Sequence, residues 1–151
     1  MNAPTPTRNQ TWIDYRRLRR FELFAPLRDL ELAEIARAGR EMSVPTGTTI
    51  IRQGQVGEDV YLLEEGLINV FRERMDAIQM LALIDSPTVF GEMAIVTPER
   101  IRTASVKALT DLRLIAIPVS DMLLFLRRYP LLRQQLHDIL TRRGLSVPPG
   151  R

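Results

Sequence analysis

The chain has 151 residues, 45% of them hydrophobic and 26% charged, which suits one domain with one core and is too apolar for a disordered chain. It has no Cys, which excludes disulfides, thiolate catalysis and zinc–thiolate or iron–sulfur centres, and its single His, His137, excludes a multi-histidine metal cage. The net charge of +3 conceals a division: residues 41–99 carry 10 acidic and 3 basic side chains, while residues 100–151 carry 10 basic and 3 acidic. Of the 21 basic residues 20 are Arg, a bias too general to indicate nucleic-acid binding by itself.

Met1 to Gln10 is polar and rich in Pro and Thr, with no signal-peptide core, and is expected to be a disordered tail. No apolar run approaches the ~18 residues of a membrane span, so a cytoplasmic protein is expected. Thr11 to Leu23 mixes Trp12, Ile13, Tyr15, Leu18 and Phe21 with Arg16, Arg17, Arg19 and Arg20. That pattern predicts an amphipathic helix with a basic face. Asp29 to Ala38 predicts a second helix, with Leu30, Leu32, Ile35 and Ala36 inward and Gly39 as its cap.

Short β-rich runs follow: Thr48–Arg52, Asp59–Glu64, Leu67–Arg74, Ile78–Ile84, Thr103–Ala108 and Leu112–Pro118. Gly47, Gly54, Gly57 and Gly66 punctuate the first four. Such spacing predicts a mainly β fold with flanking helices (α+β), an antiparallel, jelly-roll-like β-roll. The end returns to helix, with Ser120 as an N-cap and Met122, Leu123, Phe125 and Leu126 as the apolar face. Pro130 opens a last helix striped with Leu132, Leu136, Ile139 and Leu140 and stopped by Gly144. One domain over 11–144 with a loose tail over 145–151 is expected. A Ser–His–Asp triad would have to use His137, which the pattern puts on a helix surface, so no enzyme is expected.

One segment interrupts the β pattern: Phe90-Gly91-Glu92-Met93-Ala94-Ile95-Val96, then Thr97-Pro98, then Arg102-Thr103-Ala104-Ser105-Val106. It has room for about one helical turn, whose first N–H groups have no intrahelical acceptor and suit an anion. Arg102, entering the next strand, is placed to return to the same spot with a guanidinium fork that matches a phosphodiester. Glu92 is placed to accept from a sugar hydroxyl.

These residues resemble the phosphate-binding cassette of the cyclic nucleotide-binding domain family. The family pattern is F-G-E-[LIM]-A-[LI], an Arg nine or ten residues beyond the Glu, then [AST]-A-x-[VI]. Here Glu92 to Arg102 is ten residues, and Gly47, Gly54, Gly57 and Gly66 match the family's glycine frame. The resemblance covers about residues 21–143. It implies a cyclic AMP or cyclic GMP ligand and no other cofactor. Arg102 would pair with the cyclic phosphate, helped by the Met93 and Ala94 N–H groups and by Thr103. Glu92 would hold the ribose 2′-hydroxyl, Gly91 would allow close approach, and Val70 and Leu81 would contact the base. Thr103 does not decide between the bases.

Three features depart from the family's better-known members. Ser86-Pro87 replaces a glycine before the cassette, the last helix is short, and about seven residues follow Gly144, with no helix-turn-helix, kinase or channel segment. Direct DNA binding is therefore not expected, and the output is expected to pass to a partner protein through Arg16–Arg20 or Arg133–Arg143, with homodimerisation through the last helix left open. The alternatives are a non-binding scaffold whose Glu92 and Arg102 form a structural salt bridge, and a cyclic di-GMP sensor with Arg100 at the pocket mouth. A cupin-type metalloenzyme shares the strand pattern but needs several His.

Overall fold

The computed structural model describes residues 12–143. Among the described residues, eight strands form two antiparallel sheets: β1 (Arg40–Val44), β8 (Leu112–Pro118), β3 (Asp59–Glu65) and β6 (Thr88–Phe90) in one, and β2 (Thr49–Ile51), β7 (Ser105–Ala108), β4 (Leu67–Arg74) and β5 (Ala77–Asp85) in the other. Four α-helices accompany them: α1 (Asp29–Ala38), α2 (Met93–Val96), α3 (Val119–Arg128) and α4 (Pro130–Arg142). The expected β-roll with flanking helices is the observed fold.

Two apolar clusters explain why β3 and β8 read as nearly unbroken hydrophobic runs. Val60 and Leu62 of β3, with Ile115 and Ile117 of β8, face the helices. Tyr61 and Leu63, with Leu112, Leu114 and Ala116, face the other sheet. Successive side chains of a strand point to opposite faces, so a strand covered on both sides loses its polar alternation. The helix-side cluster gathers α1, α3 and α4 with Val96 of α2. Met93 and Ile95 pack against the same cluster, which includes Phe125 and Leu126 as the sequence predicts.

The N-terminal region differs from the expected amphipathic helix. It forms two 3₁₀ helices, Tyr15–Arg20 and Glu22–Phe24, interrupted by Phe21 in an extended conformation. Tyr15, Leu18, Phe21 and Phe24 recur every three residues, the period of a 3₁₀ turn. Leu18, Phe21 and Phe24 are buried. The arginines are tied down rather than displayed: Arg17 pairs with Glu41 and with the buried Glu64, Arg19 donates to Leu27 O and Asp29, and Arg20 donates to Glu64 O. The basic face expected as a docking surface is largely engaged within the fold.

Smaller corrections have equally local causes. Leu30 is 86% exposed because it lies two residues before Leu32, about 200° around the helix. Ser120 does not cap α3; the helix begins two residues earlier than that cap implies, at Val119 after Pro118, with the Val119 N–H bonded to Glu58 O at 2.8 Å. β1 and β6 were not expected: β1 has exposed polar positions at its start, and β6 has three residues. β7 starts at Ser105, which frees Thr103 and Ala104 for the lip of a cavity. Gly144 and both tails lie outside the described residues.

Candidate functional site

β6 ends at Phe90, whose ring stacks on its strand partner Tyr61 at 5.1 Å. The chain then turns at Gly91, φ +78°, into α2. Glu92 sits at the N-cap position, and the Thr97 hydroxyl donates to Met93 O at 3.0 Å to close the turn. Gly91 is required twice over, by its left-handed backbone and by its neighbours. A Cβ there would lie 3.0 Å from Arg102 Nη1 and 3.3 Å from Ile51 Cδ1.

Arg102 reaches this turn from the far side of the α2–β7 connection. Its backbone is anchored to the glycine-rich loop, with its N–H on Gln55 O at 2.8 Å and its carbonyl accepting from Gly54 at 2.9 Å. Its guanidinium donates to Gly91 O (2.8 Å) and to Asp59 O (2.7 Å) and stands 6.0 Å from the centre of the Tyr61 ring. Gly57 makes room for it: a Cβ there would come within 2.6 Å of Arg102 Cζ and 2.7 Å of Ala94 Cβ. Arg102 is 7% exposed and, among the described residues, has no carboxylate in an ion pair. Burial pushes its pKa below the ordinary arginine value, against the opposing influence of Tyr61, Asp59 and Glu92.

Glu92 is buried as well, and its cation is Arg143. Arg143, just beyond α4, donates to Glu92 Oε1 at 2.9 Å, to Val89 O at 2.9 Å and to the Thr88 hydroxyl. The Glu92–Arg102 salt bridge of the scaffold alternative is not formed.

These groups border a cavity of about 580 Å³ lying over the second sheet. Val70, Leu81, Gly91, Glu92, Met93, Arg102 and Thr103 all line it, so seven of the eight expected site residues converge. Ala94 does not. Its side chain is buried in the helix-side cluster, and its N–H lies 3.4 Å from Gly91 O. A bulge between Val70 and Phe71 leaves Leu81 without a direct partner on β4. Arg100, expected at the mouth, is not a lining residue, whereas Arg72 and Arg143 are. Neither was legible from local pattern: the guanidinium partners of Arg143 lie more than fifty residues upstream, and arginine is common throughout this chain.

Among the described residues no helix is long and apolar enough to cross a membrane, and no group of His, Asp and Glu is arranged to hold a metal ion. His137 is exposed on α4.

The family model described as "Cyclic nucleotide-binding domain" matches residues 41–129. The cyclic AMP receptor protein of Thermus thermophilus is 36% identical over 100 residues, spanning 66% of this chain and 46% of that protein. A cyclic nucleotide-gated potassium channel of Rhizobium etli is 31% identical over 129 residues, spanning 81% of this chain and 33% of the channel. The crystal structure of the Thermus thermophilus catabolite activator protein superposes with a TM-score of 0.72 at 32% identity, covering 81% of this chain and 57% of that one. The chain thus spans about a third to just over half of the length of these proteins. With the family model matching more than half of its length, and with Gly91, Glu92 and Arg102 of the cassette lining one cavity, the chain belongs to the cyclic nucleotide-binding domain family.

Proposed function

We propose that the chain binds a cyclic mononucleotide in this cavity and transmits its presence through the terminal helices to a partner protein. The observation that carries this reading is Arg102, a buried cation that, among the described residues, donates only to backbone carbonyls and has no carboxylate in an ion pair. A buried charge without a counter-ion is costly, and an anionic ligand relieves that cost. Two of its five N–H groups are engaged by Gly91 O and Asp59 O, which leaves others for a cyclic phosphate. Met93 at the start of α2 and Thr103 at the lip stand on the same side, and Val70 and Leu81 supply apolar surface for a base. The cavity's size falls within the ordinary range of about 300–1,000 Å³ for small-molecule sites.

The Glu92 carboxylate takes the ribose hydroxyl in this reading. Since Glu92 also holds Arg143, ligand and α4 share one acceptor. Filling the site alters the Arg143 contact, and α2, packed on α3, carries the change into the helix-side core. Such linkage is typically worth about 1–3 kcal/mol. The relatives' names support the ligand class: one is a cyclic AMP receptor protein, another a cyclic nucleotide-gated channel.

A thermal-shift titration with cyclic AMP, cyclic GMP and cyclic di-GMP, beside Arg102→Ala, tests the reading. Ligand at about 100 times its Kd adds roughly 2.7 kcal/mol, a rise of about 5–10 °C for a domain of this size. A rise that Arg102→Ala abolishes is expected. No rise at millimolar nucleotide overturns it.

A further inference from the structure

Arg72 lines the cavity but has no part in the phosphate and ribose contacts described above. It lies on β4 two residues beyond Val70, and strand alternation puts both on the face that looks into the cavity. Its Nε donates to Thr103 O at 3.1 Å, which orients the guanidinium plane at the lip. It makes no ion pair among the described residues, and its two terminal nitrogens have no hydrogen-bond partner there. With Nε engaged, those nitrogens present two parallel N–H groups as a half-buried fork beside the expected base contact.

A fork of this kind needs two acceptors side by side. Guanine offers them as O6 and N7. Adenine offers N7 beside an amino group, so one N–H of the fork would meet another donor. We propose that Arg72 reads the base edge and selects a 6-oxopurine over adenine, so that the preferred ligand is cyclic GMP. This rests on the nucleotide-binding reading above and adds to it the identity of the base.

Isothermal titration of the wild type and Arg72→Leu with cyclic GMP, cyclic IMP and cyclic AMP tests it. Cyclic IMP keeps O6 and N7 but lacks the 2-amino group, so it separates recognition of the O6/N7 edge from recognition of that amino group. The wild type is expected to bind cyclic GMP and cyclic IMP roughly 10- to 100-fold more tightly than cyclic AMP. Arg72→Leu is expected to erase that preference by weakening cyclic GMP and cyclic IMP roughly 10- to 100-fold, with circular dichroism showing that the variant is folded. Equal or tighter binding of cyclic AMP by the wild type overturns the proposal. So does a preference that survives Arg72→Leu, or cyclic IMP behaving like cyclic AMP. In each of those cases nucleotide binding itself stands. Absence of heat with all three nucleotides, in wild type and Arg102→Ala alike, instead removes the binding reading, and the assignment of Arg72 with it.

Discussion

Arg143 and Glu92 meet at 2.9 Å, which joins the end of the last helix to the turn that opens α2. The pair is partly shielded, with the carboxylate side chain 7% and the guanidinium side chain 26% exposed. Arg143 also holds Val89 O and the Thr88 hydroxyl, so it closes β6 and the cassette from one side. Arg142, its neighbour in the chain, pairs with Glu22, and Gln135 of the same helix donates to Glu22 O at 2.9 Å. Like the N-terminal arginines, those at the end of α4 are engaged within the fold.

Replacing Arg143 by Ala leaves the Glu92 carboxylate buried without its cation. We expect a loss of about 1–2 kcal/mol, seen as a fall in Tm of about 3–6 °C. Hydrogen exchange over Leu136–Arg142 should become faster in the variant. In the wild type, nucleotide should alter exchange in that segment; in Arg143→Ala it should not. An identical ligand response in both proteins would show that the contact carries no signal.

Arg102→Ala is expected to weaken nucleotide binding by at least 100-fold in isothermal titration, since a charge-assisted contact to phosphate is lost in a shielded site. Arg102→Lys should not restore it, because a single ammonium cannot hold Gly91 O, Asp59 O and a phosphate in one plane. Full affinity in either variant would place the phosphate elsewhere.

The glycine frame makes a separate prediction. A methyl group at position 57 would overlap Arg102 Cζ and Ala94 Cβ, both closer than 3 Å, so Gly57→Ala must displace the guanidinium or α2. Nucleotide affinity should fall about tenfold or more while circular dichroism keeps its wild-type form. Unchanged affinity would mean that Arg102 binds from another position.

Glu64 is 1% exposed and depends on Arg17, whose guanidinium is held charged well above its ordinary range, mainly by the hydrogen bond to that carboxylate. Arg17→Ala strands a buried anion, and denaturant unfolding should show a loss of about 2–4 kcal/mol. Arg16→Ala, on a side chain 76% exposed, should leave the unfolding midpoint close to that of the wild type. Equal effects from the two would show that burial of Glu64 does not set the cost.

Much of the site was legible because it is written in one stretch. Gly91, Glu92, Met93, Arg102 and Thr103 lie within thirteen residues, and their types match the chemistry of a phosphate and a hydroxyl. Val70 and Leu81 came through the family resemblance, and the β4–β5 pairing brings them to the same cavity. Arg72 and Arg143 were not legible as site residues, since only the closing of the roll and the docking of α4 bring them to the cavity. The strands with buried faces on both sides stood out in the sequence. β1 did not, because its exposed positions mirror neither period clearly. At the N-terminus the threefold recurrence of Tyr15, Leu18, Phe21 and Phe24 was present but was masked by the neighbouring arginines.

The partners of Arg102 are main-chain oxygens, Gly91 O and Asp59 O, and its own backbone is tied to Gln55 and Gly54 through main-chain atoms. The side chain at position 55 is therefore free to drift without disturbing how the guanidinium is seated. Asp59 already uses its carboxylate for another purpose, a pair with Arg40. A descendant sequence has to keep Arg102 and the small residues that admit it, whereas a neighbour such as Gln55, which lends only its main chain, can change identity and still hand the same lattice of carbonyls to the next generation.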